Sequence, residues 1–151
     1  MKIVVKQTRS FQNAYEIAKS LPEYFNDVGL KEIKKDMRKH ILFGAYLDEK
    51  LVGFATFRIW NSDTIEISWL AVREEYQRQG VGSALIEKTL SKLSKKYKVC
   101  EVKTFSDKDE YEPYIKTRAF YKKMGFIPIE TINQYPEWRD NPCQIFVKFL
   151  G

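Results

Sequence analysis

Apolar and polar positions change their period several times along this chain, and each change marks an element. Ile3, Val4 and Val5 form a β-branched run that opens as a short strand. Residues 11–21 and 30–41 carry apolar side chains at helical spacing, with Leu30, Ile33, Met37 and Ile41 in the second, and Pro22 and Gly29 punctuate the link. Two strand-like runs follow at 42–47 and 51–60, and the short Asp48-Glu49-Lys50 junction predicts a tight hairpin. Asn61-Ser62-Asp63 turns the chain into a β-branched and aromatic strand at 65–72. A helix then presents Val81, Leu85, Ile86, Leu90 and Leu93 on one face and runs to about residue 96. A strand at 99–105, a polar segment at 106–112 and a helix from Pro113 to Met124 come next, with Gly125 as its C-cap. Strands at 126–132 and 144–150 flank a loop at 133–143. The order is β-α-α-β-β-β-α-β-α-β-β without an internal repeat, which predicts one mixed α/β domain over residues 1–151.

Composition narrows the class. A hydrophobic fraction of 44% with 15% aromatics excludes a disordered chain. No run approaches eighteen apolar residues, and the first residues lack the apolar core of an export signal, so the expectation is a cytoplasmic protein with no membrane partner. Cys100 and Cys143 are too few for a disulfide framework or a zinc site, so both read as buried free thiols and no metal is expected. The net charge of +6 is spread through helices beside glutamates rather than clustered, and no nucleic-acid motif accompanies it.

The chemistry concentrates between the strand at 65–72 and the helix after it, where Gly80 and Gly82 sit two apart. A helix N-terminus carries unpaired N–H groups and a positive dipole end, and glycine lets a phosphate approach the backbone. A dinucleotide fingerprint would need a third glycine where Leu85 stands, and a P-loop would need a lysine where Ser83 and Ala84 follow. Neither fits.

What remains is Gln77-Arg78-Gln79-Gly80-Val81-Gly82, preceded by Leu70-Ala71-Val72. This resembles the acetyl-coenzyme A signature of the GNAT family of N-acetyltransferases, Q/R-x-x-G-x-G/A after a strand ending in an L-A-V-like triplet. A second stretch, Ala119-Phe120-Tyr121 through Gly125-Phe126, resembles the family's A-x-x-F/L-Y-x-x-x-G-F helix. The resemblance spans nearly the whole chain. It implies a mixed, mostly antiparallel sheet with helices on both faces and a parallel central pair, 65–72 and 99–105, that splays to admit the pantetheine arm. It implies backbone contacts from Leu70, Ala71 and Val72 to that arm, and from Arg78, Gln79, Gly80, Val81, Gly82 and Ser83 to the pyrophosphate of acetyl-coenzyme A. In one respect the chain departs from the pattern: where many members carry an asparagine seven residues before the tyrosine, Tyr114 stands.

The resemblance makes Tyr121 the candidate general acid, since a phenol of pKa roughly 10 is protonated at neutral pH and can serve a leaving thiolate. An amine acceptor must lose a proton before it attacks. Holding a lysine-like amine as free base at pH 7 costs about 4.6 kcal/mol, against about 1.4 for an α-amine. Glu66 on the central strand and Glu101 on its neighbour match family positions for a base, acting directly or through water. Tyr15, Tyr24, Phe25, Tyr135, Pro136 and Trp138 are candidates to line the acceptor pocket. His40 reads as a helix residue without partners. The expected activity is direct transfer of an acetyl group from acetyl-coenzyme A to a small-molecule or peptide primary amine. The alternative is a non-catalytic acyl-coenzyme A sensor. Exposed last strands leave a homodimer open.

Overall fold

The computed structural model describes residues 2–151. In chain order the elements are β1 (Val4–Gln7), α1 (Phe11–Lys19), α2 (Asp27–Asp36), β2 (Ile41–Leu47), β3 (Lys50–Ile59), β4 (Thr64–Val72), α3 (Val81–Leu93), β5 (Val99–Phe105), α4 (Glu112–Lys123), β6 (Ile127–Tyr135) and β7 (Asn141–Phe149). Seven strands form one sheet in the order β1-β2-β3-β4-β5-β7-β6. Every neighbouring pair is antiparallel except β4–β5.

Strand residues alternate between two faces, so each face of the sheet collects its own apolar set. Phe43, Ala45, Val52, Ala55, Ile65, Ile67, Cys100 and Val102 pack with Val81, Leu85, Ile86 and Leu90 of α3 and Tyr121 of α4. On the opposite face Leu42, Leu51, Phe54 and Ala71 pack with Ala14, Ile17 and Ala18 of α1 and Ile33 of α2. The sheet is thereby covered from both sides, as its near-continuous burial along β2 and β3 requires. No helix among the described residues is long and apolar enough to cross a membrane.

Local boundaries differ from the periodicity in two places. α2 starts at Asp27, because the Asn26 side chain accepts the Gly29 N–H at 2.9 Å and caps the first turn; Gly29 therefore lies inside the helix. It ends at Asp36, before Met37 and Ile41, since Ile41 has already joined β2 opposite Phe57. Met37 keeps the helical spacing because it is still buried against the sheet. The loop assigned to 133–143 is shorter, with a 3-10 turn over Pro136–Trp138 and left-handed Arg139 and Asp140 reversing the chain between β6 and β7. The β2–β3 hairpin is tight, Leu47 pairing with Lys50 across left-handed Asp48 and Glu49, the geometry of a type I′ turn.

Two features of β4 place the site. Its parallel pairing with β5 runs from Thr64↔Val99 to Ile67↔Val102 and stops there. Beyond that point β4 stays with β3 and β5 stays with β7, so the two strands diverge. At the vertex, Ile67 and Trp69 oppose consecutive residues Phe57 and Thr56 of β3, which makes Ser68 the extra residue of a β-bulge.

Candidate active site

The opening between β4 and β5 leads to the turn before α3. Arg78 has φ +62° and Gly80 φ +83°, so two left-handed residues shape the turn that leads into the N-terminus of α3. The first α-helical bond of α3 is Ala84 N–H to the Gly80 carbonyl at 3.0 Å, so the N–H groups of Val81, Gly82 and Ser83 precede it. No side chain caps this end of α3. A Cβ on Gly80 would meet nothing within 4 Å, whereas one on Gly82 would sit 3.5 Å from the Phe120 ring of α4. Gly80 thus serves the turn's conformation, while at Gly82 a side chain would come into ordinary contact with α4.

The motif glutamines brace this turn. Gln77 Nε2 donates to the Val72 carbonyl at 2.9 Å, and Gln79 Nε2 donates to the Glu75 carbonyl at 2.9 Å. The uncapped N–H groups, the left-handed turn and the edge that β4 leaves open toward β5 at 68–72 are what a diphosphate with an extended amide-bearing arm requires, so the chain's groups fit coenzyme A.

Tyr121 projects from α4 into the core on the α3 side of the sheet, with ring centroids 5.3 Å from Phe120 and 5.5 Å from Phe126. Burial, with the Cys100 thiol nearby, holds its phenol well above the ordinary range, so it stays protonated at any physiological pH. Glu66 and Glu101 lie on the opposite face of the sheet, in register with each other across the parallel pair.

The two carboxylates are not free. Lys103, two residues beyond Glu101 on the same face, places Nζ 3.1 Å from Glu66 Oε2 and 2.8 Å from Glu101 Oε1. Trp60 Nε1 donates to Glu66 Oε1 at 2.7 Å. Side-chain exposures are only 12% for Lys103 and 10% and 22% for Glu66 and Glu101, so water screens the cluster weakly. Burial raises Glu66 above the usual carboxylate range, with the Lys103 charge and the Trp60 and Lys103 hydrogen bonds pulling back. For Lys103 burial opposes the charge, and the two carboxylates override it and hold the ammonium above its ordinary value. Glu101 and Lys103 line a cleft of about 360 Å³ with Trp60, Asn61 and Thr64.

Of the other candidates, Tyr135 and Trp138 meet at 5.6 Å, and Trp138 continues through Phe105 at 4.8 Å to Tyr114 at 4.5 Å, an aromatic wall beside the opening. Phe25 packs at 6.1 Å from Trp69 on the face of α1 and α2, and Tyr15, under Lys34, packs against the same cluster. Tyr114, at the position of the missing asparagine, belongs to the wall. His40 is neither helical nor without a partner: it lies past α2 and its Nδ1 is hydrogen-bonded to Ser68 Oγ at 2.8 Å. Lys103 and Trp60 escaped the sequence reading, although the two-residue spacing of Glu101 and Lys103 on a strand already puts them on one face. Burial pushes the Cys100 thiol up to about 12 and the Cys143 thiol up to about 11, so neither offers a thiolate nucleophile at neutral pH. Among the described residues no cluster of three His, Cys, Asp or Glu side chains is placed to hold a metal.

Known proteins resemble this chain in sequence or in fold. An N-alpha-acetyltransferase of Sulfurisphaera tokodaii is 26% identical over 141 residues, covering 82% of this chain and 75% of the relative. A crystal structure described as a putative acetyltransferase of the GNAT family from Desulfovibrio desulfuricans superposes with a TM-score of 0.83 at 15% identity, over 99% of this chain and 100% of that one. A GNAT family acetyltransferase from Elizabethkingia anophelis, solved with acetyl-CoA bound, gives 0.76 at 17% identity over 98% of both chains. Residues 7–126 match the model of the acetyltransferase (GNAT) family, and with the splayed β4–β5 pair and the glycine turn in place, the chain belongs to that family.

Proposed function

We propose that this protein transfers an acetyl group from acetyl-coenzyme A to a primary amine by direct attack, without a covalent enzyme intermediate. The observation that carries the reading is that Tyr121 and the Glu66–Lys103–Glu101 cluster lie on opposite faces of the paired part of β4 and β5, beyond which the strands part toward an uncapped helix N-terminus. Acetyl-coenzyme A supplies the acetyl group already activated as a thioester. The N–H groups from Arg78 through Ser83 hold its diphosphate, and the backbone of Leu70, Ala71 and Val72 lines its arm. On the α4 side, Tyr121 donates a proton to the departing sulfur. On the other side, the cluster carries two carboxylates and one ammonium, a net charge of −1, which draws a protonated amine into the cleft. Glu101, which lines that cleft, is its contact, and Glu66 holds Lys103 in place. The relative that acetylates N-alpha positions makes a peptide α-amine the first acceptor class to try, and its lower pKa of about 8 suits a site whose carboxylates are already engaged.

Calorimetry of acetyl-coenzyme A on the wild type and on Gly80→Ala tests the donor site. The alanine Cβ meets no protein atom, so the substitution strains a left-handed residue by about 1–2 kcal/mol without disturbing the core. Binding weakened by up to about 5–30-fold in the variant is expected. Tyr121→Phe is expected to bind equally well and to lose on the order of 10²-fold in kcat across an amine panel. A wild type that does not bind acetyl-coenzyme A refutes the reading, and binding without turnover of any amine leaves a sensor.

A further inference from the structure

We propose that the proton shed by the acceptor amine leaves through Ser68 and His40, a hydrogen-bonded pair that runs from the vertex of the β4–β5 opening to solvent. The inference rests on the acetyl-transfer reading above. Ser68 is the bulge residue of β4, at the point where pairing with β5 ends. It is only half buried and stands two residues from Glu66, on the acceptor side of the strand. From Val72 to Ser68 is four residues, roughly 13 Å of strand, so an extended arm entering from the glycine turn ends beside this hydroxyl.

The hydroxyl is held from two directions. Its oxygen lies 2.8 Å from His40 Nδ1 and 2.7 Å from Thr56 Oγ1, and it donates its proton to the Thr56 carbonyl at 3.1 Å, so the hydroxyl must rotate about its C–O bond to donate to His40 instead. Thr56 is fully buried and leads nowhere, whereas His40 lines a second cleft of about 390 Å³ with Asp36, Lys39, Ile41, Arg58 and Ile59. The charged groups facing the imidazole are Asp36 of α2, Lys39 of the following turn and Arg58 of β3. Burial lowers the imidazole from its ordinary value, Asp36 opposes, and Arg58 and Lys39 lower it further, so His40 is neutral at neutral pH. Asp36 does not fix the ring by itself, since its carboxylate accepts from Trp69 Nε1 at 3.1 Å.

The Glu66–Lys103–Glu101 cluster favours this route by default, because both carboxylates already hold an ammonium. The step balances as follows. The acceptor ammonium gives a proton to Ser68 Oγ while the Ser68 proton passes to His40 Nδ1, leaving a free amine and an imidazolium that discharges from Nε2 into the second cleft. The amine nitrogen then forms its bond to the acetyl carbon as the carbon–sulfur bond breaks. The second proton shed by nitrogen balances the one Tyr121 gives to sulfur, so one proton reaches solvent per turnover. Ser68 takes the proton from the acceptor ammonium that Glu101 also contacts; His40 is a positioning residue acting through Ser68.

The test is the pH profile of kcat/KM for a peptide α-amine in the wild type, His40→Asn and Ser68→Ala, with acetyl-coenzyme A affinity measured alongside. Asparagine keeps a hydrogen-bonding group toward Ser68 and removes the titration. The wild-type acid limb is expected below the ordinary histidine value of about 6.5, and in both variants it moves up toward the amine's own value of about 8. At pH 7 the variants are expected to lose on the order of 10²-fold, with the affinity for acetyl-coenzyme A unchanged. Because the chain contains a single histidine, an NMR titration of its ring provides a readout free of turnover: it should titrate below the ordinary value and shift in Ser68→Ala. Variants that keep the wild-type limb and rate overturn the relay, as does a histidine that is protonated at pH 7. A limb that moves only in Glu66→Gln or Glu101→Gln overturns it in favour of a carboxylate base. Loss of acetyl-coenzyme A binding by the wild type would instead count against acetyl transfer itself.

Discussion

Lys103→Met isolates the central electrostatic feature of the site. The lysine is the cation paired with two carboxylates that face each other across the parallel strands, at 3.1 and 2.8 Å, in side chains 10% and 22% exposed. Methionine keeps the length and apolar stem and removes the charge. Deleting one partner of a buried pair ordinarily costs about 3–5 kcal/mol, because the remaining charge is stranded. Since Glu101 retains access to water, the lower end, about 3 kcal/mol, is the appropriate figure, and for a domain of this size that is roughly 6–12 °C in Tm at about pH 8. The loss must depend on pH with a definite sign. Glu66 already sits above the ordinary carboxylate range in the native protein, and without Lys103 it rises further. Between the unfolded and folded values the native state binds more protons than the unfolded state, so stability falls as pH rises. The deficit of the variant should therefore be largest at about pH 8 and shrink toward about pH 5, as Glu66 takes up a proton. Thermal unfolding of wild type, Lys103→Met and Lys103→Met/Glu66→Gln at both pH values is the assay, and the double variant should recover more than half the loss at the higher pH. A single variant melting within a degree or two of wild type at both pH values would show that the carboxylates are solvated well enough to need no partner, and the reasoning about the site's field would fall with it.

Two further outcomes concern the frame around the site. Glu49 is left-handed at φ +66° in the second position of the type I′ hairpin, a place that favours glycine; Glu49→Gly should stabilise by about 0.5–1 kcal/mol, read as a higher denaturant midpoint at unchanged m. A lower midpoint would mean that the side chain contributes more than the backbone strain. Arg118 is 7% exposed and donates to the Phe105 carbonyl at 3.0 Å and the Asp109 carbonyl at 2.7 Å, so Arg118→Met should cost about 2–3 kcal/mol and speed amide exchange across 106–110. Unchanged exchange there would show that the segment is held by Ser106 and its own turns instead.

Much of the architecture is legible because burial is local in its periodicity. Leu85, Ile86 and Leu90 recur at helical spacing since α3 has one face on the sheet, and the runs of β2 and β3 are continuously apolar since both faces are covered. The glycine pair and the helix around Tyr121 are short-range patterns, and the structure brings them together, since a Cβ added at Gly82 would lie 3.5 Å from the Phe120 ring. Where tertiary contacts override the period, reading by spacing slips: Met37 keeps helical register after the chain has left α2, and the residues expected to form a long loop before β7 extend the β6–β7 pair instead.

The amino-acid order by itself determined the elements, their sequence along the chain, the glycine turn before α3 and the residue types available for acid–base chemistry. Partnership was decided by the fold. Glu66 and Glu101 are thirty-five residues apart and become opposite neighbours only through the register of β4 on β5, which also draws Lys103 between them. His40 finds Ser68 because a bulge in β4 turns that hydroxyl toward the end of α2. Strand register and bulges are set by how whole faces pack, and no local spacing encodes which charge will meet which.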